Sequence, residues 1–213
     1  QLACTIGGNV AENAGGVHCL KYGLTVHNVI GARVITSNGD VLELGGEALD
    51  APGMDLLSLI IGSEGMLGIV TEVTLRLLPK PSTAQVVLAS FESVEAAGQA
   101  VANIIAAGLI PAALEMMDQT SVRMVEPFVQ AGYDLEAKAT LLCEADGSFA
   151  QVSEEIALMS RILNDSGAQQ LRVSHSEAER LKYWSGRKNA FPAAGRISPD
   201  YYCVDGTIPR QHL

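Results

Sequence analysis

"IVTEVTLRLLPKPS", Ile69 to Ser82, divides the chain in two. Thr71, Val73, Leu75 and Leu77 alternate with Val70, Glu72, Thr74 and Arg76, the period of a strand with one face on a core. Pro79 and Pro81 then stop it, because proline offers no ladder N–H and fixes its own φ. The texture changes at this break. Residues 1–81 are rich in glycine and read as strand-like, whereas the residues after it alternate between strand and helix patterns. Two domains are therefore expected, 1–81 and 82–213.

Upstream of the break, "ARVITSNGDVLELG" sets Asn38-Gly39 between two apolar runs, a strong short-range hairpin signal. "MDLLSLIIG" reads as a short apolar helix. Downstream, "QVVLASF", "PAALEMM", "KATLLCEA", "QQLRVS" and "YYCVDGTIP" read as strands. A helix is expected from Ser93 to Ala107, with Val94, Ala97, Val101, Ile104 and Ile105 on one face and Gly108 at its end. Asp118 opens another that Pro127 must kink or end. Ser148 with Gln151, and Ser176 with Glu179, are capping-box pairs that open two more, to Asn164 and through Trp184. Strands alternating with helices in this way imply an α+β sandwich, with helices on one face of a mostly antiparallel sheet.

Of 213 residues, 48% are hydrophobic, ample for a core. Acidic residues outnumber basic ones 24 to 14, for a net charge of -10. That balance argues against nucleic acid and against anionic membrane surfaces, both of which need clustered Lys and Arg. No apolar run reaches the roughly 18 residues of a transmembrane segment. Cys4, Cys19, Cys143 and Cys203 include no Cys-x-x-Cys pair and read as reduced thiols, so a cytoplasmic location is expected.

Near the start stands "TIGGNVAENAGG", Thr5 to Gly16, with four glycines, two asparagines and no lysine. Glycine permits φ > 0 and lets a ligand approach the main chain, and successive N–H groups can form an anion nest. Asn9 and Asn13 add donors. A turn-rich surface loop explains the same residues, and both readings stay open. No Gly-Lys-Ser/Thr follows, and no strand precedes a G-x-G-x-x-G, so neither common nucleotide motif is present. A second cluster, "IGSEGMLGIV", places Gly62, Gly65 and Gly68 at every third residue, with Glu64 among them. A tight connection between helix and strand explains it as well as a ligand does.

Together, "TIGGNVAENAGGVHCLKYGLT" and "IIGSEGMLGIVTEVTLRLLPKP" resemble the second half of the FAD-binding domain of the vanillyl-alcohol oxidase / p-cresol methylhydroxylase flavoproteins. Within that superfamily the resemblance is to the FAD-linked subunits of bacterial glycolate oxidases, with D-lactate and D-2-hydroxyglutarate dehydrogenases as relatives. It implies a PCMH-type FAD-binding half over 1–81 and, over 82–213, part of a ferredoxin-like α+β cap that covers the flavin. Backbone at Thr5, Ile6, Gly7, Gly8 and Asn9, with Asn13, Ala14, Gly15, Gly16, Tyr22 and Gly23, would face the FAD. Glu64, Gly65, Gly68, Ile69 and Val70 would line it from the other side.

The resemblance also picks out "YWSGRKNAF", in which Arg187 would bind the carboxylate of a 2-hydroxy acid. A planar guanidinium suits that task because it pairs two oxygens at once. Periodicity alone does not select it. Leu181, Trp184 and Phe191 read as one helix face, with Lys188 nearer its centre, and a solvated pair of charges remains the alternative. His18 adjoins the glycine stretch and could reach flavin or substrate, or serve a structural hydrogen bond. His27, His175 and His212 lack metal spacing, so no metal is expected.

The implied activity is FAD-dependent oxidation of a small 2-hydroxy acid, of glycolate or D-lactate type, to the 2-oxo acid. The implied partners are other oxidase subunits or an electron acceptor, and a homodimer is an expected cover for apolar surface. The family's earlier pyrophosphate loop and its later histidine segment are not found here. The chain is therefore expected to be an incomplete piece that holds FAD poorly, with irregular structure around Gly7–Gly16. The alternative is a nucleotide-binding or interaction module without redox activity.

Overall fold

The computed structural model describes residues 4–48 and 53–206. The chain separates into two compact units, Gln1–Lys80 and Pro81–Leu213.

In the first unit the glycine stretch is helical in its first half, and only residues 12–16 keep the irregular structure expected of the whole. Ile6–Ala11 forms a helix, α1, capped by the Thr5 hydroxyl, which accepts the Gly8 N–H at 3.0 Å. Its sequence favours no helix, and burial supplies the stabilisation: Val10 is fully covered and packs with Val29 and Ile61. Two single turns follow, α2 (Cys19–Tyr22) and α3 (Thr25–Asn28). Strands β1 (Val29–Ile35) and β2 (Val41–Gly45) then form the expected hairpin, with Gly39 at φ 86° in its loop. Helix α4 (Leu56–Ile60), capped by Asp55, and strand β3 (Ile69–Leu75) complete an antiparallel sheet of order β2-β1-β3.

The simple alternation expected in β3 does not occur. Arg33 faces Glu72 while the next residue, Val34, faces Val70, so Thr71 is bulged out of register. The extra residue returns Val70 and Val73 to one face, opposite Val34 and Ala32, where they pack under α1 and α4. Leu77 is 89% exposed.

The second unit runs β4 (Thr83–Phe91), α5 (Val94–Ala106), β5 (Ala113–Asp118), α6 (Gln119–Val129), β6 (Ala139–Gly147), α7 (Phe149–Asp165), β7 (Gln170–Val173), α8 (Glu177–Lys188) and α9 (Ala190–Ile197). Its sheet has the order β5-β6-β4-β7, with every neighbouring pair antiparallel. This is a split β-α-β pair, the ferredoxin-like arrangement, with α6 added between its second and third strands.

One sheet face, including Val87, Ala89, Leu141 and Cys143, packs against α5 and α7 through Ala97, Ala100, Ile104, Ile156, Met159 and Leu163. The expectation of helices on one face alone fails. Every residue of β6 from Ala139 to Asp146 is buried, so both faces are covered. On the second face α8 binds Glu144 of β6 through Arg180 and Trp184.

The serine caps form at Ser93, Ser148 and Ser176, but among the described residues neither capping box closes: the Gln151 amide donates to Glu155, and Glu179 accepts the N–H of His175 rather than that of Ser176. Val94, expected on the buried face of its helix, is exposed in the first turn. Helix α6 continues two residues past Pro127, to Val129. Residues 201–206 form no strand, and the rest of "YYCVDGTIP" lies outside the described residues.

Candidate functional site

A cleft of about 370 Å³ opens in the first unit beside α1. Ile6, Asn9, Ala14, Gly15, Gly16, Tyr22 and Gly23, all expected at a cofactor, line it. Leu24 and Leu75 add apolar wall, and Cys4, His18, Cys19, Thr25 and Asn28 also face it. Sequence reasoning singled out only His18 from this second set. Cys19, Thr25 and Asn28 lie in short turns whose approach to α1 depends on the fold.

The loop around the cleft is held by its own polar groups. Asn13, left-handed at φ 46°, accepts the Val26 N–H through Oδ1 at 3.0 Å. The Thr25 hydroxyl donates to the Ala14 carbonyl, and Asn28 donates to the carbonyls of Tyr22 and Leu24. His27 accepts the Leu24 N–H at Nδ1. The expected nest of free N–H groups is thereby reduced. Gly8, Asn9, Asn13 and Ala14 all donate within the chain. Asn13 is thus a brace for the loop rather than a spare donor, whereas the Asn9 side chain has no partner among the described residues.

The glycines divide by what a Cβ would meet. At Gly15 it would lie 2.7 Å from the Leu24 side chain, and at Gly8 3.0 Å from the Thr5 hydroxyl, so internal packing accounts for both. Neither these two nor Gly7 is left-handed, so the expectation that φ > 0 explains them fails. At Gly7 a Cβ would meet nothing within 4 Å. A helical glycine with open space costs up to about 1 kcal/mol relative to alanine, and nothing among the described residues of the first unit requires it. Gly7 does not line the cleft itself, but a bare position in open space on the helix beside it suits close approach of a flat group. The apolar wall and the unpartnered Asn9 amide suit one with an aromatic face and polar edges, so the residues present fit a flavin.

The second glycine cluster meets α1 from another side. Gly62 and Glu64 donate their N–H groups to the carbonyls of Val10 and Ala11, each at 2.8 Å. Glu64 is held at φ 54°, beside Gly65 at φ 75°. A Cβ on Gly68 would lie 2.9 Å from the Ile35 carbonyl oxygen, so this glycine serves strand packing. Val70 packs in the sheet core, and Ile69 is exposed. None of Glu64, Gly65, Gly68, Ile69 and Val70 lines the cleft.

In the second unit, Arg187 lies in the last turn of α8 and donates through Nε to Glu115 Oε2 on β5, at 2.6 Å. The expected face of Leu181, Trp184 and Phe191 does not form, because α8 ends at Lys188 and Phe191 belongs to α9. Trp184 alone of the three is buried. Its indole N–H and Arg180 Nη1 both donate to Glu144 Oε2, and Glu144 is 1% exposed. Arg180 also grips Glu177 with two bonds of 2.8 Å, which holds the Glu177 carboxyl below its ordinary range. Glu115 and Glu144 were not singled out from the sequence. Each is a carboxylate within an apolar strand, and that was the available signal.

Among the described residues no three His, Cys, Asp or Glu side chains gather as a metal site, and no helix is long and apolar enough to cross a membrane. His212 lies outside the described residues.

Residues 80–213 match the family described as FAD linked oxidases, C-terminal domain, and residues 2–45 match a FAD binding domain. The chain is 62% identical over 213 residues to glycolate oxidase subunit GlcD of Escherichia coli K12, covering all of this chain and 43% of that protein. Among solved structures it resembles alkyldihydroxyacetonephosphate synthase, with a TM-score of 0.71 at 21% identity over 90% of this chain and 37% of that one. It also resembles p-cresol methylhydroxylase with substrate bound, with a TM-score of 0.61 at 16% identity over 84% of this chain and 41% of that one. The fold is thus shared with chains that differ widely in sequence.

Proposed function

The chain belongs to the FAD-linked oxidases, and on that premise we propose that it serves in a longer flavoprotein that oxidises a small 2-hydroxy acid, of glycolate or D-lactate type, to the 2-oxo acid. The observation that carries this reading is the 62% identity to a glycolate oxidase subunit across all 213 residues. Because the chain spans 43% of that relative's length, the activity is assigned to the longer protein.

FAD, when bound, supplies the acceptor for the hydride that leaves the substrate α-carbon. The first unit would hold it in the cleft through Ile6, Asn9, Ala14, Gly15, Gly16, Tyr22 and Gly23, with Gly7 beside the cleft on α1. Gly7 would let the ring lie on main chain, and Asn9 would bond its polar edge. Leu24 and Leu75 would exclude water from the apolar face. Arg187 would bind the substrate carboxylate and orient the α-carbon, since a guanidinium stays charged and pairs two oxygens. The electrons would leave through another subunit of the oxidase or a soluble carrier.

The test uses the full-length oxidase carrying this segment. Glycolate or D-lactate should bleach its flavin band under anaerobic conditions, and Arg187→Lys should raise KM about tenfold or more, because the two-pronged contact is lost. A flavin band that no 2-hydroxy acid bleaches would overturn the reading.

A further inference from the structure

Resting on the assignment of Arg187 to the substrate carboxylate, we propose that Glu115 is a positioning residue that decides which edge of the Arg187 guanidinium that carboxylate meets. Glu115 interrupts the apolar run of β5, and its side chain is only 21% exposed. It accepts from Arg187 Nε at 2.6 Å. A guanidinium offers a carboxylate two kinds of paired edge: Nε with one Nη, or both Nη together. Glu115 occupies the first. The edge formed by the two Nη groups has no partner among the described residues, and the Arg187 side chain is 40% exposed. An incoming carboxylate is left the end-on approach.

The backbone beneath Arg187 is fixed as well. The Tyr133 hydroxyl bonds both the Tyr183 carbonyl and the Gly186 N–H, immediately before Arg187. Arg180 and Trp184 tie the same helix to the buried Glu144. Helix α8 is therefore anchored from two sides, and Glu115 removes the remaining freedom, that of the long Arg187 side chain.

Glu115 also brings a negative charge, which opposes binding of another carboxylate. The two effects have opposite signs. Solvent reaches this pair and screens the charge, whereas the orientation of the planar fork is not screened. Positioning should dominate, and loss of Glu115 should weaken substrate binding.

The experiment measures KM and kcat in the full-length oxidase for Glu115→Ala, Glu115→Met, Glu115→Gln and Arg187→Lys, with thermal midpoints and flavin content recorded for each. The Ala and Met variants lack an acceptor for Nε, and Met preserves the volume should Ala fail to fold. Expected is a KM raised about tenfold with kcat within about twofold, and a smaller rise in Glu115→Gln, whose amide oxygen still accepts from Nε. Unchanged or lowered KM in the Ala and Met variants, with KM still raised in Arg187→Lys, would overturn the role of Glu115 and leave Arg187 in place. Unchanged KM in Arg187→Lys would overturn the Arg187 assignment and this inference with it.

Discussion

Gly186 donates its backbone N–H to the Tyr133 hydroxyl at 3.0 Å, inside the last turns of α8. The ring lies so close that a Cβ on Gly186 would come within 2.4 Å of it. Gly186→Ala should therefore destabilise the second unit by about 1–3 kcal/mol, the usual cost of overpacking. Urea unfolding of the 213-residue chain measures this. An unchanged midpoint would mean that the ring and helix do not meet as described.

Gly7 predicts the opposite. A Cβ there meets open space in α1, so Gly7→Ala should leave the chain as stable or more stable, by up to about 1 kcal/mol. In the full-length oxidase the same change should reduce flavin retained after desalting. Full retention there would show that the bare position serves no cofactor.

Glu144 and Arg180 should not be equivalent. Arg180 keeps its Glu177 partner when Glu144 is neutralised, whereas Glu144 without Arg180 keeps, among the described residues, only the Trp184 N–H. Arg180→Met should cost about 3–5 kcal/mol, as expected for a buried charge left uncompensated. Glu144→Gln should cost less, about 1–3 kcal/mol. Chemical denaturation of both variants gives the order, and the reverse order would refute this account.

The second unit should weaken in alkali. Burial pushes the Cys143 thiol from its ordinary 9.0 up to about 12, and the Tyr133 hydroxyl from 10.0 to about 12. Well below pH 9 both stay protonated whether folded or not. Above it the unfolded chain loses protons that the folded chain retains, so stability falls as pH rises, by about 1.4 kcal/mol per unit for each group within its window. Thermal midpoints from pH 8 to 11 should decline, and Cys143→Ala should flatten the curve from pH 9. In the native state at pH 8, DTNB should modify the exposed Cys4, Cys19 and Cys203 and spare the buried Cys143.

Features written in neighbouring residues are legible in the sequence. The Asn38-Gly39 hairpin forms because glycine accepts φ > 0 in its loop. Ser93, Ser148 and Ser176 cap their helices because each hydroxyl reaches an N–H three residues on. The FAD-linked family was legible too, through two long glycine-bearing motifs. The cleft residues Ile6, Asn9, Gly15, Gly16 and Gly23 came with that likeness, not from periodicity.

What the sequence could not specify alone depends on partners distant along the chain. Helix α1 holds residues that favour no helix, and forms because Val10 is buried against Val29 and Ile61. The bulge at Thr71 reverses the alternation of β3 because Val34 and Ala32, on another strand, set which side chains must face inward. The helical cover on both sheet faces was hidden because "TLLCEADG" places Glu144 where a solvent-facing residue is usual, and only Arg180 and Trp184 make its burial tolerable. Arg187 and Glu115 are 72 residues apart, and no local pattern joins them. Local propensity and turn chemistry act over a few residues, so the sequence determined caps, turns and family. Burial and charge compensation act between elements that only the folded chain brings together, so the tertiary structure decided the rest.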